Sequence, residues 1–133
     1  MQGTLIAHWM YLTGIGLAVA MRYLAPGLQT HGTSPQVLKM LLPILALVAL
    51  ADYAASLFVE RSMRKRGLPA QATAIPIVTA AFGVSIPIYG IVAWLLGAST
   101  GWFWFFVALA ALHWFRSAAR WQNWQSGSDA SSR

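Results

Sequence analysis

Apolar residues run through this chain in four blocks, each long enough to cross a ~30 Å hydrocarbon core, which takes about 20 helical residues. The blocks fall near Leu5–Leu24, Val37–Glu60, Ala74–Gly97 and Trp102–Arg120. Between them lie A-P-G-L-Q-T-H-G-T-S-P-Q, then R-S-M-R-K-R-G-L-P-A-Q, then the short A-S-T-G. Gly, Pro and small polar residues in the first and third connectors are helix breakers. The final S-G-S-D-A-S-S-R, residues 126–133, is expected to be a frayed, flexible tail. The pattern predicts an all-α fold: a polytopic membrane protein with four transmembrane helices, one domain over residues 1–125.

Composition supports the pattern. Of the 133 residues 58% are hydrophobic and only 9% charged, with a mean hydropathy of +0.58. Soluble domains carry about 25% charged residues. The net charge of +6 invites a nucleic-acid reading, but the cations sit between apolar blocks, where they act as topology signals and lipid contacts. Arg61, Arg64, Lys65 and Arg66 follow the second block, and Arg116, Arg120 and Arg133 lie at the C-terminal end. The opposite side carries Arg22 and Lys39, both near helix ends. That asymmetry predicts a multi-pass protein of the cell membrane with both termini and the middle loop in the cytoplasm. Trp102 and Trp104 at one boundary, Trp121 and Trp124 at the other, suit the aromatic belts of the two interfaces. Ala18-Val19-Ala20 resembles a signal-peptide cleavage site, but no basic residue precedes the first block, and His8 and bulky aromatics interrupt it. The chain has no Cys, which removes disulfides and thiolate chemistry.

Residues 64–97 form a further unit, "RKRGLPAQATAIPIVTAAFGVSIPIYGIVAWLLG". A basic loop leads into a helix with an internal Pro, then P-I-Y-G-I-V. With the preceding block, residues 37–97 resemble the hairpin of subunit c of rotary ATP synthases, a family that keeps an I-Y-G-L-V type motif after a polar, Arg-containing loop. The resemblance implies a membrane subunit that packs beside other chains or copies of itself. It also implies a proton-binding carboxylate four or five residues before I-Y-G. That position is Val84 here, which neither titrates nor binds an ion. The family's Gly-rich first helix is Ala-rich here, with Ala46, Ala49, Ala51, Ala54 and Ala55.

Packing alone accounts for much of the same stretch. Gly83, Gly90 and Gly97 recur every seven residues and predict a small-residue stripe along one helix face, of the kind that lets membrane helices approach closely. Pro87 lacks an N–H and leaves the carbonyl of Gly83 without its usual partner.

The remaining chemistry centres on Asp52, inside "LPILALVALADYAASLFV". An Asp near the centre of a span costs about 2.5–3.5 kcal/mol and marks a functional hypothesis. At a rise of about 1.5 Å per residue, Tyr11 and His113 fall near the depth of Asp52, and Thr79 and Ser85 bracket it. Ser56 lies one turn along the helix from it. These residues predict a protonatable cluster of Asp52, His113, Tyr11 and Ser56; the alternative is an Asp that only fixes helix register. Glu60 is expected to pair with Arg64 at i+4. His8 and His113 raise b-type haem ligation in a four-helix bundle, although their depths differ by several ångströms. His31 falls in the first connector and is expected to be solvated. No metal-ligand cluster, phosphate loop or nucleophile motif is present, so the reading is of a non-enzyme, with no cofactor or metal assigned. Its partners would be membrane lipids, drawn to Arg61, Arg64, Lys65 and Arg66, and other membrane subunits or copies of itself.

Overall fold

The structure, a computed structural model, describes residues 2–30, 32–66 and 71–131. Four helices, α1 (Gln2–Leu24), α2 (Pro35–Arg66), α3 (Gln71–Leu95) and α4 (Thr100–Ser131), make up nearly all of it, with a single 3-10 turn at Pro26–Leu28. His31 and the Gly67–Ala70 part of the second connector lie outside the described residues.

The helix ends follow local chemistry. Ser34 caps α2: its Oγ accepts from the Gln36 N–H at 3.3 Å, its carbonyl takes the first helical bond from Leu38 at 3.1 Å, and Pro35 occupies the first helical position. Ser at the cap and Pro just inside suit the unpaired N–H groups of a helix start. At the other end of the hairpin, Gly97 has φ +94. Its N–H donates to Trp94 O at 2.9 Å, and Ala98 N–H donates to Ala93 O at 3.0 Å, the paired bonds of a Schellman stop. Thr30 from the first connector donates its N–H and its hydroxyl to Leu95 O, both at 2.8 Å. Gly97 therefore terminates α3 and does not continue the glycine stripe. A left-handed residue is needed there, and only Gly adopts that conformation without strain.

The helices alternate in direction. Arg22 at the end of α1 donates to Thr100 at the start of α4 (3.0 Å) and lies 4.9 Å from the Phe103 ring centre. At the far end, His8 meets Trp114, and Glu60 meets Arg120. The first residues of α1 and the last of α4 thus share one end of the bundle with Arg61, Arg64, Lys65 and Arg66. Helix α3 is central and packs against all three others, while α1 and α2 share no substantial interface among the described residues. The contacts are close because Ala7, Ala18, Ala49, Ala80, Ala93 and Ala110 are fully buried. Small residues let membrane helices approach closely.

Three helices, Gln2–Leu24, Pro35–Arg66 and Ala74–Leu95, are long and apolar enough to cross a membrane. Helix α4 matches α2 in length but falls short in mean hydropathy, because Trp102, Trp104, His113, Trp114 and Arg116 interrupt its apolar residues. The expected four helices are present, and three of them meet that length and hydropathy among the described residues. Two boundaries move as well. Residues 61–66, expected in a loop, extend α2, and residues 126–131, expected in a tail, continue α4. At about 1.5 Å per residue, the 32 residues of α2 reach about 48 Å, longer than a hydrocarbon core. Its last turns carry Arg61, Arg64, Lys65 and Arg66.

Candidate functional site

Polar side chains meet inside this bundle in two clusters. The first is sealed. Tyr11 (α1), Ser56 (α2) and His113 (α4) are each at most 1% exposed. The Tyr11 hydroxyl lies 2.5 Å from His113 Nδ1, and the Ser56 hydroxyl lies 2.7 Å from Nε2. Ser56 also donates to the Tyr53 carbonyl one turn back, at 2.6 Å. A serine has one proton, so with that proton on the carbonyl, Ser56 accepts from Nε2–H and Nδ1 accepts from Tyr11. The neutral Nε2–H tautomer of His113 satisfies all three bonds. Tyr53 closes one side, its ring edge-on to the imidazole at 4.7 Å. Gly83 of α3 closes another: a Cβ there would overlap the Tyr11 ring and lie 2.7 Å from His113 Nδ1.

One to two turns toward the basic end, Glu60 is 2% exposed. Arg120 grips it bidentately, Nε to Oε1 at 3.1 Å and Nη2 to Oε2 at 2.9 Å. Arg120 Nη2 also donates to the buried Ser117 hydroxyl at 3.1 Å, and Thr79 adds a longer bond to Glu60 at 3.4 Å. Glu60, expected at the surface, is thus buried and held by Arg120 of α4. An i+4 rule sees only one helix, and Arg120 lies 60 residues away.

The second cluster lies at the α2–α3 edge. Asp52 Oδ2 is 2.6 Å from the Tyr89 hydroxyl and 2.9 Å from the Ser85 hydroxyl, and all three residues are half-buried. Ser85 makes the same kind of backward bond as Ser56, to the Phe82 carbonyl at 2.5 Å. The predicted four-residue cluster is therefore divided: the structure brings Tyr11, His113 and Ser56 together and places Asp52 with Ser85 and Tyr89. Depth estimates gave height along the axis but not rotation about it. Four residues advance a helix by one turn plus about 40°, which turns Ser56 toward α4 and Asp52 toward the outer lip of α3.

Val84, the position at which the resemblance implies a carboxylate, faces the other way. It lines an apolar groove of about 470 Å³ between α1 and α3 with Trp9, Met10, Thr13 and Leu17, and a Cβ on Gly14 would sit 3.2 Å from it. Of the glycine stripe, Gly83 and Gly90 are at close contacts; at Gly90 a Cβ would lie 2.9 Å from Phe106 Cβ. Pro87 is buried inside α3.

His8 accepts from the Trp114 indole at 2.8 Å and packs edge-on to Trp121. Both ring nitrogens of His113 are engaged, so joint ligation of a haem would require His113 to give up at least one of these bonds. No group of three or more His, Cys, Asp or Glu is placed to hold a metal among the described residues. Arg61, Arg64 and Lys65 line a shallow cleft at the end of α2. Tyr89 is the site residue that sequence reasoning missed. Its signal was its place in I-Y-G, four residues beyond Ser85 and on the same helix face. No family model, no curated protein and no solved structure matches the chain.

Proposed function

We propose that the chain is a four-span integral membrane protein, with both termini cytoplasmic, that serves as a non-catalytic, subunit-c-like membrane subunit. It would pack with other membrane chains or with copies of itself. The observation that carries this reading is the inverted distribution of polarity. His113, Ser56, Thr79, Ser117 and Glu60 lie inside, where they satisfy one another. Leu5, Trp9, Leu12, Leu47, Phe58 and Ile88 are exposed. Water would penalise such a surface, whereas lipid demands it, and intramembrane polar groups turn to the bundle interior. Helix α4 shares the pattern: Trp104, Phe105, Leu112 and Phe115 face outward and His113 and Ser117 inward. That supports counting it as the fourth span despite its lower hydropathy.

Native mass spectrometry from detergent tests the assembly; oligomers or defined hetero-complexes are expected, and a lone monomer in every mild detergent overturns the subunit reading. Because the chain has no Cys, single cysteines at positions 2, 64 and 133 report topology directly. Labelling of any of them from the outer face by an impermeant reagent rejects the cytoplasmic assignment.

A second reading rests on Asp52, a half-buried acid held by two hydroxyls at the bundle edge: the chain handles protons or ions at this carboxyl. In proteoliposomes, Asp52→Asn is expected to abolish ion flux while Ser56→Ala retains it. Unchanged flux in Asp52→Asn overturns this reading.

A further inference from the structure

Helix α2 changes character along one outer ridge. Leu47, Ala51, Ala54, Phe58, Arg61 and Lys65 follow one another at alternating steps of four and three residues, and all six are exposed. Residues three and four apart are neighbours on a helix surface, so these side chains form a single line: four apolar members, then two cations. Leu47 and Phe58 project, 66% and 72% exposed. The two alanines leave the ridge low between them, over about 16 Å of helix axis. Past Phe58 the ridge meets a cleft of about 340 Å³ lined by Arg61, Arg64 and Lys65, which share one helix face at i, i+3 and i+4. The neighbouring acid does not neutralise them, because Glu60 is turned into the bundle and held there by Arg120 and Thr79. Arg66, next in sequence, is not among the lining residues.

We infer that this cleft and the ridge beside it form a binding site for one anionic phospholipid, with its phosphate among Arg61, Arg64 and Lys65 and an acyl chain along Phe58, Ala54, Ala51 and Leu47. The ligand class follows from the order of the groups. Two guanidinium forks and an ammonium suit the several acceptor oxygens of a phosphate. A soluble phosphate would use the cations alone, whereas an amphiphile uses both halves of the ridge. The junction also falls where the apolar block Val37–Glu60 gives way to charge, the level at which headgroups begin. The opposite end of the bundle does not repeat the arrangement. There Arg22 is engaged by Thr100 and by the Phe103 ring, and Lys39 has no second basic residue within a turn of it on α2. The site therefore selects one leaflet. It rests on the membrane reading above and is independent of subunit assembly and of Asp52. General attraction of lipid to a basic segment treats all four cations alike; a fixed site includes Lys65 and excludes Arg66.

Native mass spectrometry of the full chain, released from micelles holding equal parts phosphatidylglycerol and phosphatidylcholine, tests this. Wild type is expected to retain phosphatidylglycerol in preference. Each cation near the surface is worth about fivefold in affinity for anionic lipid. Combining Arg61→Ala with Lys65→Ala is therefore expected to lower the preference about 25-fold, while Arg66→Ala changes it by less than about twofold. In neutral detergent, added phosphatidylglycerol is expected to raise the unfolding temperature of wild type and not that of the double variant, since a ligand stabilises the state that binds it. Equal losses from Arg66→Ala and Lys65→Ala overturn the inference, because they mark diffuse attraction in place of a site. Displacement of the lipid by millimolar inorganic phosphate overturns it as well, by showing a site for a soluble anion. Retention of both lipids without preference rejects the site while the membrane reading stands. A protein that stays dispersed in water without detergent and binds vesicles of neither lipid overturns both.

Discussion

Around His113, the Ser56 hydroxyl gives its proton to the Tyr53 carbonyl and takes one from the imidazole, in a pocket that neither water nor lipid reaches. Around Asp52, Ser85 makes the same backward bond to the Phe82 carbonyl, but its partner is a carboxyl at a half-open edge between two helices. One local device thus serves two purposes. In the sealed cluster it joins α1, α2 and α4 around a fully satisfied imidazole, so losing a member strands buried donors and acceptors. At the edge it holds a half-buried carboxyl between two helices, open on one side. The interior cluster is sealed by its neighbours, and the edge is the half-open one of the two.

The comparison breaks if the two regions respond alike to mutation, and the largest effect is expected at Glu60. Glu60→Ala leaves Arg120 with no carboxylate in a site where Glu60 is 2% exposed and Arg120 29%. Breaking a buried pair costs about 3–5 kcal/mol, and the partial exposure of Arg120 places this one near about 3 kcal/mol. Unfolding in mixed micelles would show it as a large fall in stability. Next comes Gly83→Ala, whose methyl would overlap Tyr11 and crowd His113. Overpacking of about 1–3 kcal/mol is expected, with an altered Tyr11 environment visible in ultraviolet resonance Raman spectra. A Gly83→Ala protein as stable as wild type would show that α1 and α4 can move apart freely.

The matched serines give the sharpest test. Ser56→Ala strands the buried Nε2–H of His113, at about 1–3 kcal/mol for an unsatisfied buried group. Ser85→Ala is expected to cost about 0.6 kcal/mol, the average for polar contacts between membrane helices. Equal losses in parallel unfolding curves would erase the distinction between sealed and open clusters. The smallest effect is expected for Asp52→Asn, which retains a polar side chain at the edge. Its stability should change by about 0.6 kcal/mol or less while any ion flux disappears. A collapse in stability would make Asp52 a structural residue.

Much of the fold was legible along the chain. The four apolar blocks became four helices, and most of the Lys and Arg residues marked one end of the bundle. The candidate residues were legible as types and depths: an acid, a histidine and hydroxyls at similar heights. Their grouping was not, as Glu60 and Gly97 also show. Glu60 was expected at the surface, and it is buried and gripped by Arg120 from another helix. Gly97 matched a seven-residue repeat, and its backbone instead turned left-handed to stop α3.

By itself, the sequence determined which segments are helical and apolar, and which end of each carries charge. These follow from local hydrogen bonding and from the transfer of side chains between water and lipid, which act residue by residue. Only the tertiary structure decided that Asp52 faces Tyr89 and Ser85 while Ser56, one turn later, faces His113. That choice depends on the rotation of each helix about its axis, set by how Gly83, Gly90 and the buried alanines let α1, α2 and α4 close around α3. A rotation of about 40° is invisible to hydropathy, yet it separates a sealed imidazole from an acid at the edge of the bundle.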